Sequence, residues 1–366
     1  MVAGLVASGT DALERPLRPR AIAAEPEMAG GVLSPAQCDV QPRAQSRDFG
    51  GPGRWRTRGG GVMTTPAVSV VIPVYNAARH LREALQSLRA QTFEDFEVVC
   101  VNDGSTDDSL SILRRFQREV EGKLAFKVIS RPNTGIVGAL TDGLREARAP
   151  LIARFDADDV CLPDRLARQV DYMRAHPDCV LLGAMVRVID PHGLPLHESE
   201  RIFDHESLDR ELMKGRGGVI RHPVAMIRRD ALDRVGGYRR QYQWAEDLDL
   251  FLRLAEIGRI ANLPEKLLLY RLHPQSVNRT RFEEQARLVT QAVREAASRR
   301  GIALPPDWEY RPTPPAPPAM QVREWGWKAL KERRADIARK HALSLLGMSI
   351  WNREAWRLMA CALRGY

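Results

Sequence analysis

The stretch EVVCVNDGSTDDS (97–109) opens as a short apolar run, closes on Asn102-Asp103, and turns through Gly104 into a segment with helical spacing. Its neighbours follow the same grammar. VSVVIPV (68–74) is an apolar run bounded by Pro66 and Asn76, and Leu81, Leu85 and Leu88 after it fall on one helical face. Leu110, Leu113 and Phe116 complete the second unit; FKVIS (126–130) and a helix from about 138 to 147 make a third; LIARF (151–155) ends at DADD (156–159). Buried strands alternating with amphipathic helices predict an α/β fold, with a Rossmann-like, mostly parallel sheet carrying helices on both faces. Ligands of such sheets bind beyond the carboxyl ends of the strands. The ends Pro73-Val74-Tyr75-Asn76, Asn102-Asp103-Gly104-Ser105 and Asp156-Ala157-Asp158-Asp159 should therefore converge on one rim.

Those ends carry the chemistry. The D-x-D spacing of Asp156 and Asp158 can offer oxygens to a divalent cation, and Mg²⁺ and Mn²⁺ prefer such hard ligands. Alone, the same spacing also suits a turn and a helix cap. Asp103 precedes the turn and is free to accept hydrogen bonds from a nucleobase imide or a ribose, while Ser105 and Thr106 are residue types that cap helices. Farther on, Glu246-Asp247 opens a helix with an apolar face of Leu248, Leu250, Phe251, Leu254 and Ala255. Acids at that position also suit the helix dipole, whatever else they do. No GxGxxG follows the first strand and no GxxxxGK[ST] occurs anywhere, which disfavours a dinucleotide-binding domain and a P-loop.

The chain has 366 residues, room for about two domains at roughly 150 residues each. No apolar run approaches the ~20 residues of a membrane-spanning helix, and the first residues lack the basic start of a secretory signal. Five scattered cysteines without a CxxC argue against a disulfide framework or a zinc site and suit a reducing cytosol. The net charge of +9 is uneven: Lys and Arg outnumber Asp and Glu by 8 to 6 in 1–62, 36 to 34 in 63–304 and 11 to 6 in 305–366. A nucleic-acid-binding body would concentrate its charge on the folded domain, so that class is set aside. Of the 24 prolines, 13 fall in 1–62 and 305–318. The expected division is a disordered Gly/Pro/Arg-rich segment at 1–62 (with Met63 an alternative start), a folded α/β domain at 63–304, a stiff Pro-rich linker at 305–320 and a basic amphipathic helical tail at 321–366.

VSVVIPVYN, VVCVNDGSTDDS, RPNTGIVGALTDGL, DADD and WAEDLDLFLRL follow in this order over about residues 65–280. The set closely resembles a family 2 glycosyltransferase of the GT-A fold. The resemblance implies an inverting enzyme that takes a sugar from a nucleotide diphosphate sugar, a UDP or dTDP sugar foremost, with Mg²⁺ or Mn²⁺. It implies that Tyr75 lies beside the donor base, that Pro73 and Asn76 belong to the donor site, and that Asp103 contacts the base or ribose. By the same resemblance Asn133 and Gly135 line the donor pocket and Asp156 touches the ribose or donor sugar. Asp158 and His273 are the implied metal ligands, Arg131 and Arg271 diphosphate partners, and His222 an acceptor contact. Asp247 is the implied general base, with Glu246 orienting the acceptor.

Two departures qualify the pattern. Thr141-Asp142-Gly143 stands where relatives often carry an Asn before the Gly, and no QxxRW follows Glu246-Asp247. The second absence points to transfer of a single sugar rather than processive synthesis, in surface polysaccharide or glycolipid assembly. The alternative is a non-catalytic nucleotide-sugar-binding protein with an assembly role. In the tail, tryptophans mingle with Lys and Arg at helical spacing, the composition of an interfacial helix. One reading places it on the inner membrane face of the cytoplasm, beside a lipid-linked acceptor; the other packs it on the catalytic domain or a second copy.

Overall fold

The structure is a computed structural model, and it describes residues 65–273, 281–314 and 316–365. The segment expected to be disordered, 1–62, and Met63 lie outside the described residues. The expected alternation is present as β1 (Val68–Val74), α1 (Ala78–Arg89), β2 (Phe96–Asp103), α2 (Ser109–Glu119), β3 (Ala125–Arg131), α3 (Ile136–Glu146) and β4 (Leu151–Arg154). These four strands run parallel in the order β3-β2-β1-β4, with Val68 level with Phe96 on one side and Leu151 on the other.

Side-chain alternation along β1 feeds both faces. Val70 and Ile72 pack with Leu81, Leu85 and Leu88 of α1 and Leu113 and Phe116 of α2, while Val71 packs with Leu140 of α3 on the other side. Full burial of a leucine such as Leu81 contributes roughly 1.5–3 kcal/mol, and each of these three α1 leucines is buried.

Beyond β4 the sheet becomes mixed. It continues through β8 (Met226–Arg228), β6 (Cys179–Ile189), β9 (Arg259–Arg271) and the two-residue β5 (Val160–Cys161), with β7 (Pro195–Glu198) beside β6. β8 is antiparallel to both β4 and β6, and β9 is parallel to β6. The β6–β9 register jumps from Ala184 opposite Leu263 to Met185 opposite Lys266, so Pro264 and Glu265 bulge out of the ladder. Proline has no N–H to give a ladder, and a bulge is where a strand tolerates it. Val160 pairs with Leu269, and this register brings Arg271 and His273 beside DADD.

The remaining helices are α4 (Arg165–Ala175), α5 (His205–Leu212), α6 (Arg229–Val235), α7 (Glu246–Ala255) and α8 (Phe282–Arg299), then α9 (Pro318–Lys331), α10 (Ala335–Met348) and α11 (Arg353–Arg364). Two expectations are corrected here. Ser105 and Thr106 do not cap α2, because Asp107 takes the Ser109 N–H and the helix begins there; they instead bond Asn76. The Pro-rich linker ends at Pro317, and it is not a free spacer. Arg294 of α8 donates to the carbonyls of Pro306 and Trp308, and Tyr310 N–H donates to Thr290. The tail packs on the α/β body: Trp325, Ile337, Leu345 and Leu358 share a cluster with Leu194, Leu196 and Leu272. No described helix is long and apolar enough to cross a membrane.

Candidate active site

The carboxyl ends of β1, β2 and β4 open into one cleft of about 1380 Å³. That exceeds the roughly 300–1,000 Å³ usual for a single small molecule, and leaves room for two substrates. Pro73, Tyr75, Asn76, Asp103, Asn133, Gly135, Asp156, Asp158, His222, Glu246, Asp247, Arg271 and His273 all line it. Arg131 does not. Its guanidinium pairs with Asp103 and Asp142 behind the wall, so its part as a direct diphosphate partner is corrected to that of a brace. Asp142 is the residue that departs from the family pattern, and here it holds that arginine.

On the β1–β2 side, Tyr75 stands exposed at the lip. Asn76 adopts φ 48° and accepts from the N–H of Thr106 at 2.8 Å, fastening the β1 loop to the β2 loop. Asp103 is buried and is not free, as the sequence suggested it would be. Its two oxygens accept from the N–H groups of Thr134 (3.0 Å) and Gly135 (2.9 Å), while Arg131 pairs with it at 3.1 Å. The carboxylate thus orders the Asn133–Gly135 turn. Gly135 has φ 85°, and a β-carbon there would run into Gln243, so the turn needs glycine.

The second group is acidic. Asp156, Asp158 and Asp159 can each present an oxygen with all three within 4.8 Å of one another. His273 Nε2 lies 2.9 Å from Asp158 Oδ2. Burial pushes the Asp158 carboxyl up, but the hydrogen bond and charge of His273, with Arg154, outweigh it and bring the group below its ordinary value. Asp159 is pushed well above its ordinary value by burial, then by Asp158 and Asp156. One of its oxygens accepts from Arg271 N–H at 2.7 Å; the other, Oδ2, is buried with no partner among the described residues. Clustered carboxylates with an orphaned buried oxygen fit a divalent cation. Arg271 is nearly buried and spends its guanidinium on Glu83 and the carbonyls of Asp158 and Asp190. It frames the acidic cluster.

Across the cleft, α7 begins with Glu246 and Asp247. Glu246 Oε2 accepts from Trp244 N–H and Asp247 Oδ1 from Leu248 N–H, both at 2.8 Å. Among the described residues no other group bonds the second oxygen of either acid. Burial, with the neighbouring Asp247 charge, raises Glu246 to about 7; burial also raises Asp247. Trp244 holds φ 88°, the left-handed turn that aims its N–H at Glu246. Non-glycine residues rarely adopt that region, and such strain collects at functional sites. His222 is buried against Phe251 and bonds the Tyr238 hydroxyl at 2.7 Å; burial, then Arg154, lowers its pKa well below the ordinary value, keeping the ring neutral.

The sequence reading passed over the residue that links these groups. Arg154, the last of β4, is buried, pairs with Asp156, and exerts its charge on Glu246, Asp247 and His222. A cation ending a buried strand two residues before a D-x-D was the available signal. His80 was also missed. Burial and then Arg271, His273 and Arg79 lower its pKa to about 4, and its ring lies 5.4 Å from that of His273.

Known proteins match this arrangement. The sequence profile of Glycosyl transferase family 2 matches residues 69–236. The amylovoran biosynthesis glycosyltransferase AmsE of Erwinia amylovora is 32% identical over 217 residues, 58% of this chain and 79% of that protein. Among solved structures, the Pyrobaculum calidifontis mannosyltransferase PcManGT, in complex with GDP-Man and Mn²⁺, superimposes with a TM-score of 0.51 at 20% identity, over 83% of this chain and 86% of its own. S. aureus TarS (residues 1–349) in complex with UDP-GlcNAc gives 0.50 at 20% identity, over 81% and 79%. These structures share the fold, and the ordered motifs, the cleft and the relatedness to AmsE agree: the chain belongs to glycosyl transferase family 2.

Proposed function

We propose that the protein is an inverting glycosyltransferase that moves one sugar from a nucleoside diphosphate sugar to an acceptor hydroxyl, in the assembly of a surface polysaccharide or glycolipid. The observation that carries the reading is the opposition of two acidic groups in one cleft: Asp156 and Asp158, backed by buried Asp159, on one wall and Glu246-Asp247 on the other, with buried Arg154 serving both. Relatives support the setting, since AmsE is named for amylovoran biosynthesis and the two structural neighbours hold UDP-GlcNAc and GDP-Man. A UDP or dTDP sugar is the donor proposed here. The acceptor is a sugar or a lipid-linked saccharide, met at the inner membrane face of the cytoplasm.

Tyr75 would stack on the donor base, with Asn133 and Gly135, ordered by Asp103, along the ribose and diphosphate. Asp156 would accept from a ribose or sugar hydroxyl. Asp158, His273 and Asp159 would hold Mg²⁺ or Mn²⁺, which when bound offsets the charge of the diphosphate. Asp247 takes the acceptor proton while the acceptor oxygen forms its bond to the anomeric carbon. The bond from that carbon to the diphosphate oxygen breaks in the same displacement, the electron pair leaves with the nucleoside diphosphate, and the configuration inverts. Glu246 orients the acceptor, and Arg154 supplies fixed positive charge in a dry site where charge moves.

Thermal stabilisation by UDP, dTDP, GDP and CMP, each with and without Mn²⁺, followed by product formation from the matching sugar donor, tests the proposal. A metal-dependent shift with one diphosphate, and transfer from its sugar, is the expected result. Donor binding with no transfer to any sugar or lipid-linked acceptor would favour a non-catalytic sugar-nucleotide-binding role instead.

A further inference from the structure

The three C-terminal helices bury one apolar face against each other and against Leu194, Leu196 and Leu272 of the α/β body, and α11 carries a second that is exposed. In α11 the buried positions are Ala355, Leu358 and Ala362. The opposite stripe, at the same spacing, carries Trp356, Ala360 and Leu363, all exposed, with Arg353, Arg357 and Arg364 along it. The Trp356 indole N–H donates to the Ile350 carbonyl at 2.8 Å, which fastens this stripe to the α10–α11 turn. At that turn Ile350 is exposed and Trp351 is 88% exposed. Large apolar side chains gathered this way and rimmed by polar groups mark an interaction surface.

Charge selects the occupant. Residues 318–365 hold ten Lys and Arg against four Asp and Glu, and Glu354 is the sole acid of α11. A second copy docking through the same face would bring arginine against arginine. Anionic headgroups instead complement the rim, and tryptophan settles at the boundary between headgroup and acyl chain. We propose that Ile350, Trp351, Trp356 and Leu363, with Arg353, Arg357 and Arg364, seat the protein on an anionic lipid bilayer.

The fold ties this face to the cleft. His341 of α10 is buried and hydrogen-bonded to Asp190 in the β6–β7 turn. His192 of the same turn lies 3.4 Å from Arg79, which lines the cleft. These contacts fasten the helices that carry the face to the turn beside the cleft, so docking would tether the cleft to the surface that carries a lipid-linked acceptor. The inference rests on the membrane-face part of the functional reading and is independent of the transfer chemistry.

Sedimentation of the full chain with phosphatidylcholine vesicles, with and without phosphatidylglycerol, tests it. Binding should require phosphatidylglycerol and weaken with salt. Trp351→Ala should lower the partition coefficient by about tenfold or more, and Arg353→Gln and Arg357→Gln by about fivefold each. These side chains lie outside the core, so a thermal midpoint without ligand that matches the parent's serves as the control for folding. The proposal is overturned if the folded chain does not bind phosphatidylglycerol vesicles, or if the variants bind as well as the parent. Light scattering that shows a dimer abolished by Trp351→Ala, with no vesicle binding, would assign the face to self-association and also overturn it. Vesicle binding that persists when no nucleotide binds would uphold the docking face and count against the transferase reading alone.

Discussion

His273 Nε2 lies 2.9 Å from Asp158 Oδ2, although 115 residues separate them in the chain. The contact is set by the short β5–β9 pairing and by Arg271, whose N–H holds Asp159 and whose guanidinium holds the Asp158 carbonyl. Asp158→Ala should remove metal-dependent donor binding altogether. His273→Ala should raise the Mn²⁺ concentration needed for half-maximal donor binding by about 10–100-fold, the range seen when groups supporting a metal site are lost. Titrating Mn²⁺ against UDP-induced thermal stabilisation measures both. Unchanged metal dependence in Asp158→Ala would remove this cluster from consideration as the metal site.

Asp247→Asn keeps the shape of the α7 N-terminus, including the oxygen that accepts from Leu248 N–H. It removes the capacity to take a proton. Donor binding should be retained and the turnover number should fall by about 10²–10⁴-fold, the range for loss of general base catalysis. Calorimetry for binding and single-turnover assays for chemistry separate the two effects. Full turnover in Asp247→Asn would mean that another group is the base.

The Glu246–Asp247 pair also predicts the pH profile. Burial raises both carboxyls, Glu246 to about 7, and the proposed transfer needs them ionised. The rate per enzyme should therefore climb as pH rises through about 7 and level off above it. Stability should run the opposite way. A carboxyl whose folded pKa is raised contributes stability that is complete below its unfolded value of about 4.3 and is lost as pH rises through 7. Glu246→Gln should weaken that loss and move the acid limb of the rate to lower pH, because the group that titrates near 7 is gone and only Asp247 is left to ionise. An acid limb unmoved by Glu246→Gln would show that Glu246 does not set it.

The N-terminal half of the sheet was legible because each strand is a pure apolar run and each helix shows one leucine face. Tyr75, Asp156, Asp158 and Glu246-Asp247 were legible for a related reason: strand ends and helix starts in such sheets gather on one rim, and their positions follow from local spacing. β6 and β9 were harder to place. They pair across some 80 residues, and a two-residue bulge at Pro264-Glu265 hides the register from any alternation rule. Asp103 looked available because its partners, the Thr134 and Gly135 amides and Arg131, come from the next strand–helix unit. Arg154 escaped notice because a lone arginine on a strand carries no spacing signature. Its meaning comes only from Asp156 two residues ahead and Glu246 92 residues on.

Arg154 supports the last prediction. It is 4% exposed, pairs with Asp156, and its Nε finds no partner among the described residues. A buried guanidinium with donor capacity unspent is held for a ligand rather than for the fold alone, and the departing diphosphate is the anion the cleft is proposed to take. Arg154→Met removes one member of a buried ion pair and should cost about 3–5 kcal/mol of stability, read by urea unfolding at neutral pH. Arg154→Lys keeps a charge near Asp156 but loses the planar fork, so it should recover most of the stability while leaving turnover well below that of the parent. Separate recovery of folding and chemistry would mark Arg154 as a group that acts on the transferred charge. Equal recovery of both in Arg154→Lys would reduce it to a counter-ion for Asp156.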